Sequence, residues 1–367
     1  MSDYKAVLAA RYALDKAVDL LFTKFNPLFW LKLSVVVFLL GAAYSSTQSS
    51  SRLSDVSEMD FDFNAPALGL ILLVFGAVFL FSLVFSFIAA VFQFIYVEAL
   101  AKHEVSFFSQ FKENMGSGLS LFLFQLIIGL IVLFFAASIG ALLFLVSSAS
   151  KLVFFAILFT GLLFLIPLLL VVLFINLLTI DFVVPHMAAH REGVLKSFKL
   201  VLVSLKTEPL EFIIYVLLKI GLAFISFILR LFVSAVVWVF AVALGFGAGL
   251  IVFGVLSVLG VEPSNLFNME ITPALLALVF AAAAALILVV WVISYLITVL
   301  TLPLPVFFRL FSIYFFQLLR AEVRLLGMPG EPEPTWDHLR VERERDKIRY
   351  GEQKDDEVDD HKDLRVY

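Results

Sequence analysis

A chain of 367 residues that is 62% hydrophobic and only 15% charged departs from soluble proteins, which are about 45–50% apolar and about 25% charged. Several apolar runs exceed the roughly 18–20 residues of a membrane-crossing helix, and the alternating segments of a β-barrel are missing. With no cysteine, disulfides, thiolate metal sites and cysteine nucleophiles are excluded; the net charge of −4 informs only once divided by location. The expected class is an all-α polytopic helical membrane bundle.

Residues 1–26 form an amphipathic amino-terminal segment without the apolar core and cleavage site of a signal peptide. Tyr4, Val7, Leu8, Leu14, Val18, Leu21 and Phe25 share one helical face, with Lys5, Arg11, Asp15, Lys16, Asp19 and Lys24 largely away from it. Such a helix either lies in the membrane interface or packs on other parts of the chain. The first span is 26–44, opening with Trp30 and Lys32. A Ser-rich, acidic loop follows over 45–66.

The apolar run 67–100 is longer than a bilayer core requires. Its end, 92–104, carries Gln93, Glu98, Lys102, His103 and Glu104, so it is expected to project into the cytoplasm with Glu98 and His103 solvated. A short amphipathic link, 105–118, leads to two runs at 119–146 and 152–180. These are joined by a tight turn at 147–151, and Pro167 is expected to kink the second. Pro185 suits a helix start. Residues 194–206 then read as a basic interfacial helix, with Lys196, Lys199 and Lys206 opposite an apolar stripe.

Residues 210–259 are apolar for longer than one span needs. A helix over about 210–243 is expected, followed by a re-entrant segment at the Gly-rich "GFGAGLIVFG" (245–254); two full spans are the other reading. A polar loop (261–273), a last span (274–302) and a third interfacial helix (306–327) come next. The domain division is then 1–26, a transmembrane domain at 27–327, and a charged, mostly disordered cytoplasmic tail at 328–367.

Lys and Arg near span ends favour the cytoplasm. Six spans place nearly all of them on one side, leaving only Arg52 and Lys151 on the other. Both termini are therefore expected to be cytoplasmic. Three successive hairpins, each entered by an amphipathic segment, hint at a weak internal repeat.

Catalytic signatures are missing: no phosphate-binding loop, HExxH or GxSxG is present. His186 and His190 have a metal-compatible i, i+4 spacing but no evident third ligand, and read as interfacial. No cofactor, metal site or nucleic-acid partner is expected. The distinctive feature is one sector of the 211–234 helix, where Glu211, Tyr215, Lys219, Ser226 and Arg230 align. Charges inside a bilayer are costly and usually face a bundle interior or wet cavity. Alternatively, Lys219 and Arg230 snorkel towards opposite interfaces.

The blocks "WLKLSVVVFLLG", "FQFIYVEALAKHEVSFFSQF", "DFVVPHMAAHREGVLKSFKLVL" and "EPLEFIIYVLLKIGL" resemble an uncharacterised family of archaeal multi-pass membrane proteins, a domain-of-unknown-function family. More loosely they are similar to the membrane domain of glycerophosphodiester phosphodiesterases, whose soluble catalytic barrel has no counterpart here. The resemblance implies a multi-pass protein of the cell membrane and no known activity. Two functions are expected: a non-enzymatic scaffold organising membrane lipids, or a protein partner through the tail; and a transporter or channel-like permease using the polar stripe.

Overall fold

A computed structural model describes residues 4–23, 25–45, 65–146, 151–258, 273–320, 323 and 325–328. Most of the expected loops at 45–66, 147–151 and 261–273, and the expected tail from 329 onward, lie outside them. Among the described residues every regular element is helical. In chain order these are α1 (Lys5–Val18), α2 (Pro27–Ser45), α3 (Ala65–Lys102), α4 (Phe107–Leu145), α5 (Lys151–Leu178), α6 (Val184–His190), α7 (Val194–Thr207), α8 (Pro209–Val258), α9 (Pro273–Leu300) and α10 (Pro303–Leu319).

Four helices are long and apolar enough to cross a membrane: α3, α4, α5 continued through α6, and α8. The pair α9 and α10, which bends 55° at its junction, adds a fifth only where the two count as one span. The apolar part of α2, Pro27–Gly41, is shorter. None of the most apolar stretch of α4 or of α5 is buried. Side chains such as Phe134, Phe144, Phe159 and Phe232 stand outward. Apolar surface on that scale is not left to water; here it suits lipid.

The packed core sits at one end of these helices, in what we call the head. It gathers α1, the end of α3, α6, α7, the start of α8 and α10. The sequence expectations are corrected here in three places. Residues 90–101 of α3 are buried throughout, Glu98 included at 2% exposure, rather than solvated. The end of α3 is enclosed by α4, α6 and α10. The 306–327 segment is not interfacial: α10 is buried from Leu310 to Gln317 and packs chiefly against α1. Prolines 303 and 305 at its start suit the first turn of a new helix after the bend.

The third correction concerns α8. It runs unbroken for 50 residues through Gly245, Gly247 and Gly249, so 245–254 is no interruption. It is about 75 Å long at 1.5 Å per residue. A helical glycine costs about 1 kcal/mol against alanine. Backbone groups left open in hydrocarbon cost several kcal/mol each, so the helix continues. The 105–118 link is likewise mostly helix, since α4 begins at Phe107.

Of the two readings of α1, packing on other parts of the chain holds for its alanine face. Ala6, Ala9, Ala13 and Ala17 are buried, and the short side chains let α10 approach. Tyr4, Val7, Leu14, Val18 and Phe25 from the larger apolar face are exposed, whereas Leu21 is buried. Asn26 ends the intervening turn by capping α2: its Oδ1 accepts from the amides of Leu28 (3.0 Å) and Phe29 (3.2 Å), with Pro27 in the first helical turn. Trp30 Nε1 then donates to Val299 O of α9 at 3.2 Å, and Ser34 Oγ shares a 2.9 Å hydrogen bond with Tyr295 OH. These contacts fix α2 against α9.

Candidate functional site

The site begins with a break in helical regularity. After α5 the backbone makes a π-helical turn at Thr179–Val183 before α6. Pro185 follows two residues later and cannot donate its amide to the Asp181 carbonyl. A π turn absorbs such a lost i, i−4 bond, and such turns are frequent at functional sites. It also sets Asp181 against α8, where the residue is 5% exposed.

Two side chains of α8 reach that carboxylate. Tyr215 OH donates to Asp181 Oδ2 at 3.0 Å, and Lys219 Nζ forms a salt bridge to the same oxygen. Tyr215 is fully buried and stacked between Phe311 and Phe315, with ring centroids 4.8 and 4.4 Å away. Phe182 packs on it at 5.2 Å. This aromatic stack holds the hydroxyl in place.

From α10, Arg309 enters beside the pair. Its guanidinium donates to Ile180 O, to Gln93 Oε1 at 2.7 Å and to Gln93 O at 3.4 Å. It also lies 5.6 Å from the ring centroid of Tyr96, within cation–π range. Arg309, Gln93 and Tyr96 are each 5% exposed, and the Tyr96 hydroxyl is buried with no hydrogen-bond partner.

These groups line one cavity of about 520 Å³. Asp181, Lys219, Arg309, Gln93 and Tyr96 contribute to its wall together with Ser226 and Arg230, farther along α8. Val37, Leu40, Phe227 and Phe308 provide apolar wall. Lys219 and Arg230 are eleven residues apart, about 16 Å along the helix. Arg230 is exposed, and among the described residues no acidic group pairs with it. Four of the five stripe residues thus meet, at the aromatic stack or in the cavity. Glu211 stands apart, outside the lining, with its Oε2 buried and without a hydrogen-bond partner. Asp181, Arg309, Gln93 and Tyr96 were not evident from the stripe alone. The usable signal was a single polar residue at the edge of, or inside, an otherwise apolar run.

The histidines are arranged without a metal set. His186 and His190 stack with centroids 4.5 Å apart. His186 Nδ1 bonds Ser197 Oγ at 3.0 Å, and Glu192 pairs with Lys196 at 2.6 Å. Among the described residues, no group of three or more His, Cys, Asp or Glu side chains is placed to hold a metal ion.

No curated protein and no solved structure matches this chain. A family match covers residues 4–326, nearly everything but the tail. The chain therefore belongs to the family of unknown function DUF7544.

Proposed function

We propose that this is a non-enzymatic multi-pass protein of the cell membrane that organises lipid, with its head and both termini in the cytoplasm. The observation that carries this reading is the division of the molecule. Packing is concentrated in the head, while the apolar stretches of α4 and α5 leave their sides to lipid. The exposed lysines 112, 196, 199 and 206 lie on the helices that enter or build the head, as the positive-inside rule favours for a cytoplasmic face. Exposed Tyr4, Val7, Leu14 and Val18 on α1 would sit at the headgroup level beside the spans.

The test is the lipid that accompanies the full chain through purification in a neutral detergent, identified by mass spectrometry. A subset enriched over the parent membrane is expected. A retained composition equal to that membrane contradicts the reading. The permease alternative draws on the cavity shared by Lys219 and Arg230. Under it, Lys219→Ala and Arg230→Ala abolish flux in reconstituted vesicles and leave retained lipid unchanged.

A further inference from the structure

We infer that the cavity between α2, α3, the π turn after α5, α8 and α10 is a binding site for the anionic phosphate headgroup of a membrane lipid. The inference deepens the lipid-organising reading and rests on it. Charge is the first ground. The lining holds Lys219, Arg230 and Arg309 against a single carboxylate, Asp181. That carboxylate is already engaged by Lys219 and Tyr215. A cationic excess beside hydrocarbon is costly, and a phosphate group supplies the opposite charge. The guanidinium of exposed Arg230 matches phosphate oxygens with two parallel donors.

The second ground is an unmet donor. Tyr96 lines the cavity, is 5% exposed, and has a buried hydroxyl without a partner. A buried hydroxyl ordinarily finds an acceptor; a headgroup oxygen is one. Ser226 adds a second hydroxyl to the wall. The third ground separates a lipid from free phosphate in water. Much of the wall is apolar, including Val37, Leu40, Phe227 and Phe308. The volume of about 520 Å³ is in the range of pockets for ligands much larger than an inorganic anion. A headgroup with the start of its chains covers both surfaces.

The test uses the full chain in a neutral detergent, native mass spectrometry, and added phosphatidylglycerol, phosphatidylcholine or inorganic phosphate. Wild type is expected to retain phosphatidylglycerol at least fivefold over phosphatidylcholine. Arg230→Gln, which alters an exposed side chain, and Tyr96→Phe, which removes only a hydroxyl, should each lower that retention at least threefold. Ser226→Phe should lower it by filling the cavity. Unchanged retention in all three variants overturns the site while the lipid-organising reading stands. Equal retention of the two lipids overturns the selection by charge. Displacement of phosphatidylglycerol by millimolar inorganic phosphate overturns the lipid as the ligand. Wild type retaining no lipid removes the site and the reading beneath it together.

Discussion

Asp181 accepts from Tyr215 and Lys219 through one oxygen, so both α8 residues depend on the same carboxylate. Removing one member of a buried ion pair costs about 3–5 kcal/mol, because the other is left uncompensated. The Lys219 side chain keeps 22% of its area exposed, so solvent screening should bring Lys219→Met below that range, to about 2–3 kcal/mol. Adding Asp181→Asn should recover much of the loss. Denaturant unfolding in mixed micelles measures both, and a double variant no better than Lys219→Met argues against the pair. Tyr215→Phe deletes a hydrogen bond to a charged acceptor and should cost about 1.5–3 kcal/mol in the same assay. Half of this site was legible in the sequence. Tyr215, Lys219, Ser226 and Arg230 fall on one side of a helix by periodicity alone. Asp181 and Arg309 join them across 38 and 90 residues of chain, and no local pattern encodes such a meeting.

Among elements, α3 and α4 approach closely at Gly118. A Cβ added at Gly118 would lie 2.4 Å from Val91 Cγ2 and 3.0 Å from Val91 Cα. Since the backbone itself is within reach, the conflict cannot be relieved by a rotamer change. Gly118→Val should therefore destabilise by about 1–3 kcal/mol, the usual range for overpacking. Gly116→Val, where nothing lies within 4 Å, is the matched control in thermal unfolding. Equal melting temperatures for the two variants would contradict the close contact. Helix existence was plain from the sequence, but helix ends and faces were less so. The α8 glycines read as a break because glycine ends helices in water. In hydrocarbon the unmet backbone bonds outweigh that tendency. The exposed stripe on α1 was seen, whereas its alanine face, which carries the contact with α10, was not. Alanine gives a weak apolar signal even where it permits the tightest packing.

For the whole molecule, the sequence establishes an all-helical membrane protein through composition and run length alone. It does not reveal that the core is concentrated at one end, because apolar side chains look the same whether they meet lipid or one another. The burial of Glu98 and of α10 is hidden from the sequence for that reason. The proposed orientation has its own check: reporters fused before Met1 and after Tyr367 should both read cytoplasmic, and opposite sides would contradict it. Lys219, Ser226 and Arg230 on the polar side of α8 line the electropositive cavity. A chain without cysteine permits a direct measurement, the reaction of single cysteines with charged thiol reagents in sealed and permeabilised vesicles. Ser226→Cys should react about tenfold faster with an anionic sulfonate reagent than with a cationic ammonium reagent, following the positive charge of the lining. Ile225→Cys, one residue away and outward-facing, should react with neither. Equal, negligible labelling at both positions would place residue 226 against lipid and contradict the account.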